Sequence, residues 1–97
     1  MQAAKKVEIV CDSLEVKNIL KILENIGVSE YTIIRDVIGK GGRGVRGGDE
    51  LTDVFKNSLI LTVCSDEQIP KVVEAMRPIL KRFGGICLVS DTSYVIH

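Results

Sequence analysis

The stretch YTIIRDVIGKGGRGVRGGDE, residues 31–50, decides how the rest of the chain is read. Its first eight residues, Tyr31 to Ile38, are β-branched and aromatic enough for a strand. Its middle, Gly39 to Gly48, holds six of the nine glycines, interleaved with Lys40, Arg43 and Arg46. A segment so rich in glycine is a poor helix and a poor strand, yet its backbone N–H groups can wrap an anion. Arginine forks suit phosphate oxygens and lysine adds a point charge, so the segment reads as a phosphate-handling loop. Taken alone, such a string also suits a plain flexible linker.

Outward from the loop, KVEIVC at 6–11 places Val7, Ile9 and Cys11 on one face and Lys6, Glu8 and Val10 on the other, a first strand packed on one side. Asp12 and Glu15 stand at capping-box spacing. Leu14, Ile19, Leu20, Leu23 and Ile26 recur at three- and four-residue steps up to Gly27, which predicts a helix over 13–26. After the glycine loop, Phe55 to Cys64 contains SLILTVC, a third strand apolar on both faces and therefore central in its sheet or facing a second subunit. Ser65 and Gln68 repeat the capping spacing, and Ile69, Val72, Val73, Met76, Leu80 and Phe83 predict a helix over 66–82. Pro78 should kink that helix or end it early. GICLVS at 85–90 is a fourth strand, Asp91 and Thr92 read as a turn, and SYVIH as a short extra strand or tail.

The order strand, helix, strand, strand, helix, strand is the ferredoxin-like βαββαβ arrangement. It is an α+β fold with one antiparallel sheet and both helices on one face, here with a long loop between strands two and three. The second face of that sheet is left bare, and self-association through it is the simplest cover.

At 97 residues the chain makes one domain. Thirteen basic residues balance thirteen acidic ones, so no global field holds nucleic acid or an anionic membrane, and anion binding must be local. The sequence contains no apolar run near the ~20 residues of a membrane span, and MQAAKK has no apolar leader core, which predicts a soluble, cytoplasmic protein. Cys11, Cys64 and Cys87 lie in apolar strand stretches and read as buried small hydrophobes of a reducing compartment. The one histidine is His97, and no metal site is expected; Asp49, Glu50 and Asp53 read as solvated loop carboxylates. No residue suggests a nucleophile or general base, so the chain reads as a non-enzyme.

Three phosphate or nucleic-acid patterns overlap the loop. A Walker P-loop needs four residues before a GK[ST] that opens a helix, whereas Lys40 comes early and an acidic loop and a strand follow. VIGKGG at 37–42 resembles the glycine loop of KH RNA-binding domains, the rival reading. That loop joins two helices, but YTIIRDVI reads as a strand and GVRGGDE cannot start a helix. Tyr31, Phe55, Phe83 and Tyr94 are also few for stacking bases, so no nucleic-acid partner is expected.

The third pattern covers Lys6 to Tyr94. EYT at 30–32, GKGGRGVR at 39–46 and FGGICLVS at 83–90, in ferredoxin-like order, resemble the PII-like signalling proteins, in particular the carbon-sensing branch typified by SbtB and carboxysome-associated relatives. The resemblance implies one PII-like domain over 1–97 with a T-loop at about 38–54, and a homotrimer holding adenine nucleotides in clefts between subunits. It places Lys40, Arg43 and Arg46 on phosphates, Gly39, Gly41 and Gly42 as backbone donors, Gly84, Gly85 and Ile86 as the opposing B-loop, and Thr32 and Ile33 on adenine and ribose. As plain sheet residues Thr32 and Ile33 are equally well explained. The T-loop has no tyrosine for uridylylation, and Ile86 and Cys87 follow Gly85 without the B-loop lysine of nitrogen-type relatives. That departure favours AMP, cyclic AMP or ADP over ATP as regulatory ligand, with no cofactor. The implied role is T-loop signalling in inorganic-carbon acquisition, with a bicarbonate transporter or other carbon-acquisition protein as partner, and hence a cytoplasmic protein peripheral to a membrane transporter.

Overall fold

The alternation seen at 6–11 runs further than those six residues. In a computed structural model, described for residues 1–41, 44–46 and 56–97, the first strand β1 spans Gln2–Asp12. β1 is followed by a 3-10 turn, Ser13–Glu15, and helix α1, Val16–Ile26. Strands β2 (Tyr31–Val37), β3 (Gly39–Gly41), β4 (Gly44–Arg46) and β5 (Asn57–Cys64) come next, then helix α2 (Ile69–Phe83) and strand β6 (Ile86–Tyr94). The main sheet has the order β2-β5-β1-β6 with every pairing antiparallel, which is the ferredoxin-like arrangement. β5 is an inner strand, as its apolar composition on both faces requires.

The core lies on one face of this sheet. Val7, Ile9 and Cys11 of β1 and Ile60 and Cys64 of β5 are buried with Ile19 and Leu23 of α1 and Val72, Met76 and Ile79 of α2. Gly27 closes α1 in the left-handed conformation, and Val28 N–H reaches back to the Leu23 carbonyl at 2.9 Å. Ser13 N–H donates to the Lys56 carbonyl at 2.8 Å, tying the start of the helical segment to the start of β5.

Several details differ from the sequence reading. Asp12 does cap, its carboxylate accepting from Leu14 N–H at 2.9 Å, but it caps the 3-10 turn. That turn advances about 120° per residue, so Leu14 falls off the apolar stripe and stands 71% exposed. The second helix runs through Pro78 to Phe83 rather than ending there. Pro78 and Glu74, whose carbonyl it leaves without a helical donor, are both on the exposed side, so water can serve that carbonyl. Asp91 and Thr92 are not a turn: they pair with Lys5 and Ala4 within β6, and Lys5 forms an ion pair with Asp91. The Asp91 carboxylate holds the Lys5 ammonium above its usual pKa.

The glycine segment also departs from the expectation of a poor strand. Gly39, Lys40 and Gly41 pair with Arg46, Val45 and Gly44 as a short antiparallel ribbon. Local pairing satisfies backbone groups two at a time and overrides the weak strand propensity of glycine. N–H groups used in that ladder are not open to an anion.

Candidate functional site

Strand direction divides the sheet into two ends. Gln2, Tyr31, Cys64 and Tyr94 mark one, and Asp12, Val37, Asn57 and Ile86 the other. The glycine ribbon leaves β2 at the second end, where β2 is one edge of the sheet and β6 the opposite edge. Asp36, at φ +61°, sits at a register shift between Arg35 and Val37, and this bulge re-aims the chain into the ribbon. Lys56 Nζ stands 3.8 Å from the Asp36 carboxylate.

The ribbon brings the Arg46 backbone beside Gly39 at its base, with Lys40 opposite Val45. Gly42 and Arg43, placed with these in the sequence reading, lie outside the described residues, as do Asp49, Glu50 and Asp53. Gly84, Gly85 and Ile86 form the turn between α2 and β6 at the same end of the sheet. Gly84 N–H closes α2 on the Leu80 carbonyl at 2.9 Å. Gly85, at φ +104°, lets the turn press on β1, since a Cβ there would fall 2.2 Å from the Val10 carbonyl oxygen. Three interstrand spacings, about 14 Å, separate the β2 and β6 edges, so the ribbon base and the Gly84–Ile86 turn of one chain do not converge.

Thr32 and Ile33 are at the other end of β2, roughly 20 Å along the strand from Gly39. Their faces differ. Ile33 packs against the buried core. Thr32 is exposed on the opposite face and lines a cleft of about 550 Å³ with Leu61, Val63, Ala4, Gln2 and Tyr94. Thr62, whose hydroxyl donates to the Glu30 carbonyl at 2.6 Å, fixes the entry of β2 beside this cleft. Apolar and polar groups in nearly equal share line it, which suits a flat heterocycle that also makes hydrogen bonds. Sequence reasoning missed Leu61, Val63 and Tyr94 as cleft residues, although the alternation of LILTVC puts Leu61 and Val63 on the face away from Ile60 and Thr62.

The open face beyond the cleft carries Ile34, Val10, Ile86 and Leu88, with Leu88 53% exposed. Burial raises the thiol pKa of all three cysteines, and for Cys11, flanked by the charges of Asp12 and Glu15, to about 11. They are inert thiols at neutral pH. Among the described residues, strand β2 leads into VIGKGG and Gly39–Gly41 is itself a paired strand, where the KH reading needs the loop to follow a helix. No helix among the described residues is long and apolar enough to cross a membrane.

Comparison with known proteins agrees with this geometry. The family model of nitrogen regulatory protein P-II matches residues 4–96. No curated protein sequence matches the chain. Among solved structures, CPII, a PII-like protein from Thiomonas intermedia K12 bound to ADP, AMP and bicarbonate, superposes with a TM-score of 0.84 at 24% identity, over 93% of this chain and 86% of that one. A PII-like signaling protein from Thermus thermophilus gives 0.75 at 25% identity, covering 94% and 88%. GlnK of B. subtilis gives 0.68 at 24%, covering 95% and 87%.

Proposed function

The chain belongs to the nitrogen regulatory protein P-II family, and from that premise we propose that it is a single-domain, homotrimeric sensor of adenine nucleotides that signals through the T-loop at about 38–54. The observation that carries the reading is the separation of the candidate site. The ribbon base with Arg46 and the Gly84–Ile86 turn sit on opposite edges of one sheet, and Thr32 sits at its far end. No mononucleotide reaches all three within one chain, whereas a ring of copies brings the edge of one against the cleft of the next.

In that arrangement Lys40, Arg43 and Arg46 meet phosphates, and Gly39, Gly41 and Gly42 offer whichever N–H groups are free of the ribbon. Gly84, Gly85 and Ile86 close the opposite wall. Thr32 holds the adenine in its cleft. Ile33, facing the core, contributes through its backbone on the free edge of β2. With no lysine after Gly85 to meet a third phosphate, AMP, cyclic AMP and ADP are favoured over ATP. Nucleotide at the base of the T-loop shifts its population of conformations and so the surface it offers, with no chemical step. Because the CPII structures hold bicarbonate beside ADP and AMP, we place the role in inorganic-carbon acquisition, in the cytoplasm, with a bicarbonate transporter or related protein as partner.

Replacing Arg46 with alanine tests the site. Loss of a charge-assisted pair worth about 1.5–3 kcal/mol should weaken AMP and ADP roughly ten- to a hundredfold in titration calorimetry and leave adenosine little changed. Equal weakening of all three ligands would contradict the phosphate role.

A further inference from the structure

We propose that Lys6 of one copy pairs with Glu8 of the next, so that this charge couple aligns the open sheet faces when subunits assemble. The proposal rests on the trimer reading above. Lys6 and Glu8 stand two residues apart on β1, an inner strand, and share the open face; Lys6 Nζ lies 3.4 Å from Glu8 Oε1. Across β5 they oppose Val63 and Leu61, and across β6 Ser90 and Leu88. Val10 follows on the same strand and face. A cation and an anion therefore sit side by side inside an otherwise largely apolar surface, away from its rim.

Such a couple is self-complementary. In a closed ring, the cation of each copy can meet the anion of its neighbour at every interface. The apolar residues supply contact area but fit each other in many offsets. The charges do not: an offset copy would cover Lys6 or Glu8 with leucine or valine and strand a desolvated charge. In the single chain both side chains are only partly covered, at 42% and 32% exposure, so the intrachain pair is weak and free to exchange partners.

Sedimentation of the full chain over a dilution series, with circular dichroism confirming the fold, tests the pairing on wild type, Lys6→Glu, Glu8→Lys and the charge-swapped Lys6→Glu/Glu8→Lys. Each single variant keeps its fold, because water reaches both sites in the monomer. Its half-assembly concentration should rise roughly a hundredfold or more, since a like-charged buried contact replaces an opposed one. The swapped chain should assemble within about threefold of wild type, because it recreates the opposed pair at every interface, whereas a mixture of the two single variants should recover only in part, since a ring of three made from them always keeps one like-charged contact. Single variants that assemble like wild type, or a swapped chain as weak as the single variants, would each overturn the pairing while the trimer stands. A wild-type chain that stays monomeric throughout would overturn the trimer reading itself.

Discussion

Gly39 and Gly85 are both proposed to line the nucleotide site, and their surroundings assign them different work. A Cβ on Gly85 meets the Val10 carbonyl oxygen at a positive φ, whereas one on Gly39 meets nothing within 4 Å. Gly85→Ala should therefore lower the unfolding free energy in urea by about 2 kcal/mol or more. Gly39→Ala should change it by less than about 0.5 kcal/mol. If Gly39→Ala nonetheless loses nucleotide affinity, a ligand approaches its backbone; unchanged affinity would remove Gly39 from the site. Cys11 gives a residue-scale prediction of its own. Its thiol pKa is raised to about 11 in the fold from an ordinary 9.0. The unfolded chain thus ionises first as pH rises. The stability this thiol contributes is fully present below pH 9 and is lost between about 9 and 11, on the order of 2 kcal/mol. Cys11→Val should flatten the fall in melting temperature over that window, and an unchanged slope would contradict the assignment.

At the scale of elements, legibility followed the locality of the physics. Ser65 and Gln68 make the reciprocal bonds their spacing suggests, though around the turn before α2 rather than at its first residue: Ser65 N–H donates to the Gln68 side chain at 2.9 Å, and Gln68 N–H to the Ser65 hydroxyl at 3.3 Å. Ser65→Ala should cost about 1 kcal/mol, read as a lower urea midpoint; no change would mean that the turn before α2 is held otherwise. The same spacing at Asp12 and Glu15 misled, because a 3-10 turn intervenes and changes the phase of the stripe. Helix and strand types were legible from periodicities of 3.6 and 2. The continuation of β6 through Asp91 and Thr92 was not, because polar residues resemble a turn until β1 and the Lys5–Asp91 pair are known to lie beside them. The ribbon of Gly39–Gly41 and Gly44–Arg46 was hidden for the same reason, since its strands exist only through each other.

At the scale of the molecule, sequence alone located both edges of the candidate site in the chain but not their distance apart. That distance depends on strand order, which is a property of the whole sheet. It also turned the bare face, foreseen from alternation, into a surface with particular contents: the Thr32 cleft at one end, apolar residues beyond it, and Lys6 with Glu8 within it. On the trimer reading proposed above, one chain is half of a site and one face half of an interface. Titration calorimetry of the purified protein with AMP, cyclic AMP, ADP and ATP, with its mass in solution recorded alongside, tests this most directly. The expected result is a trimer that binds about one AMP, cyclic AMP or ADP per subunit and holds ATP less tightly. A monomer, or a trimer that binds none of the four, would contradict it.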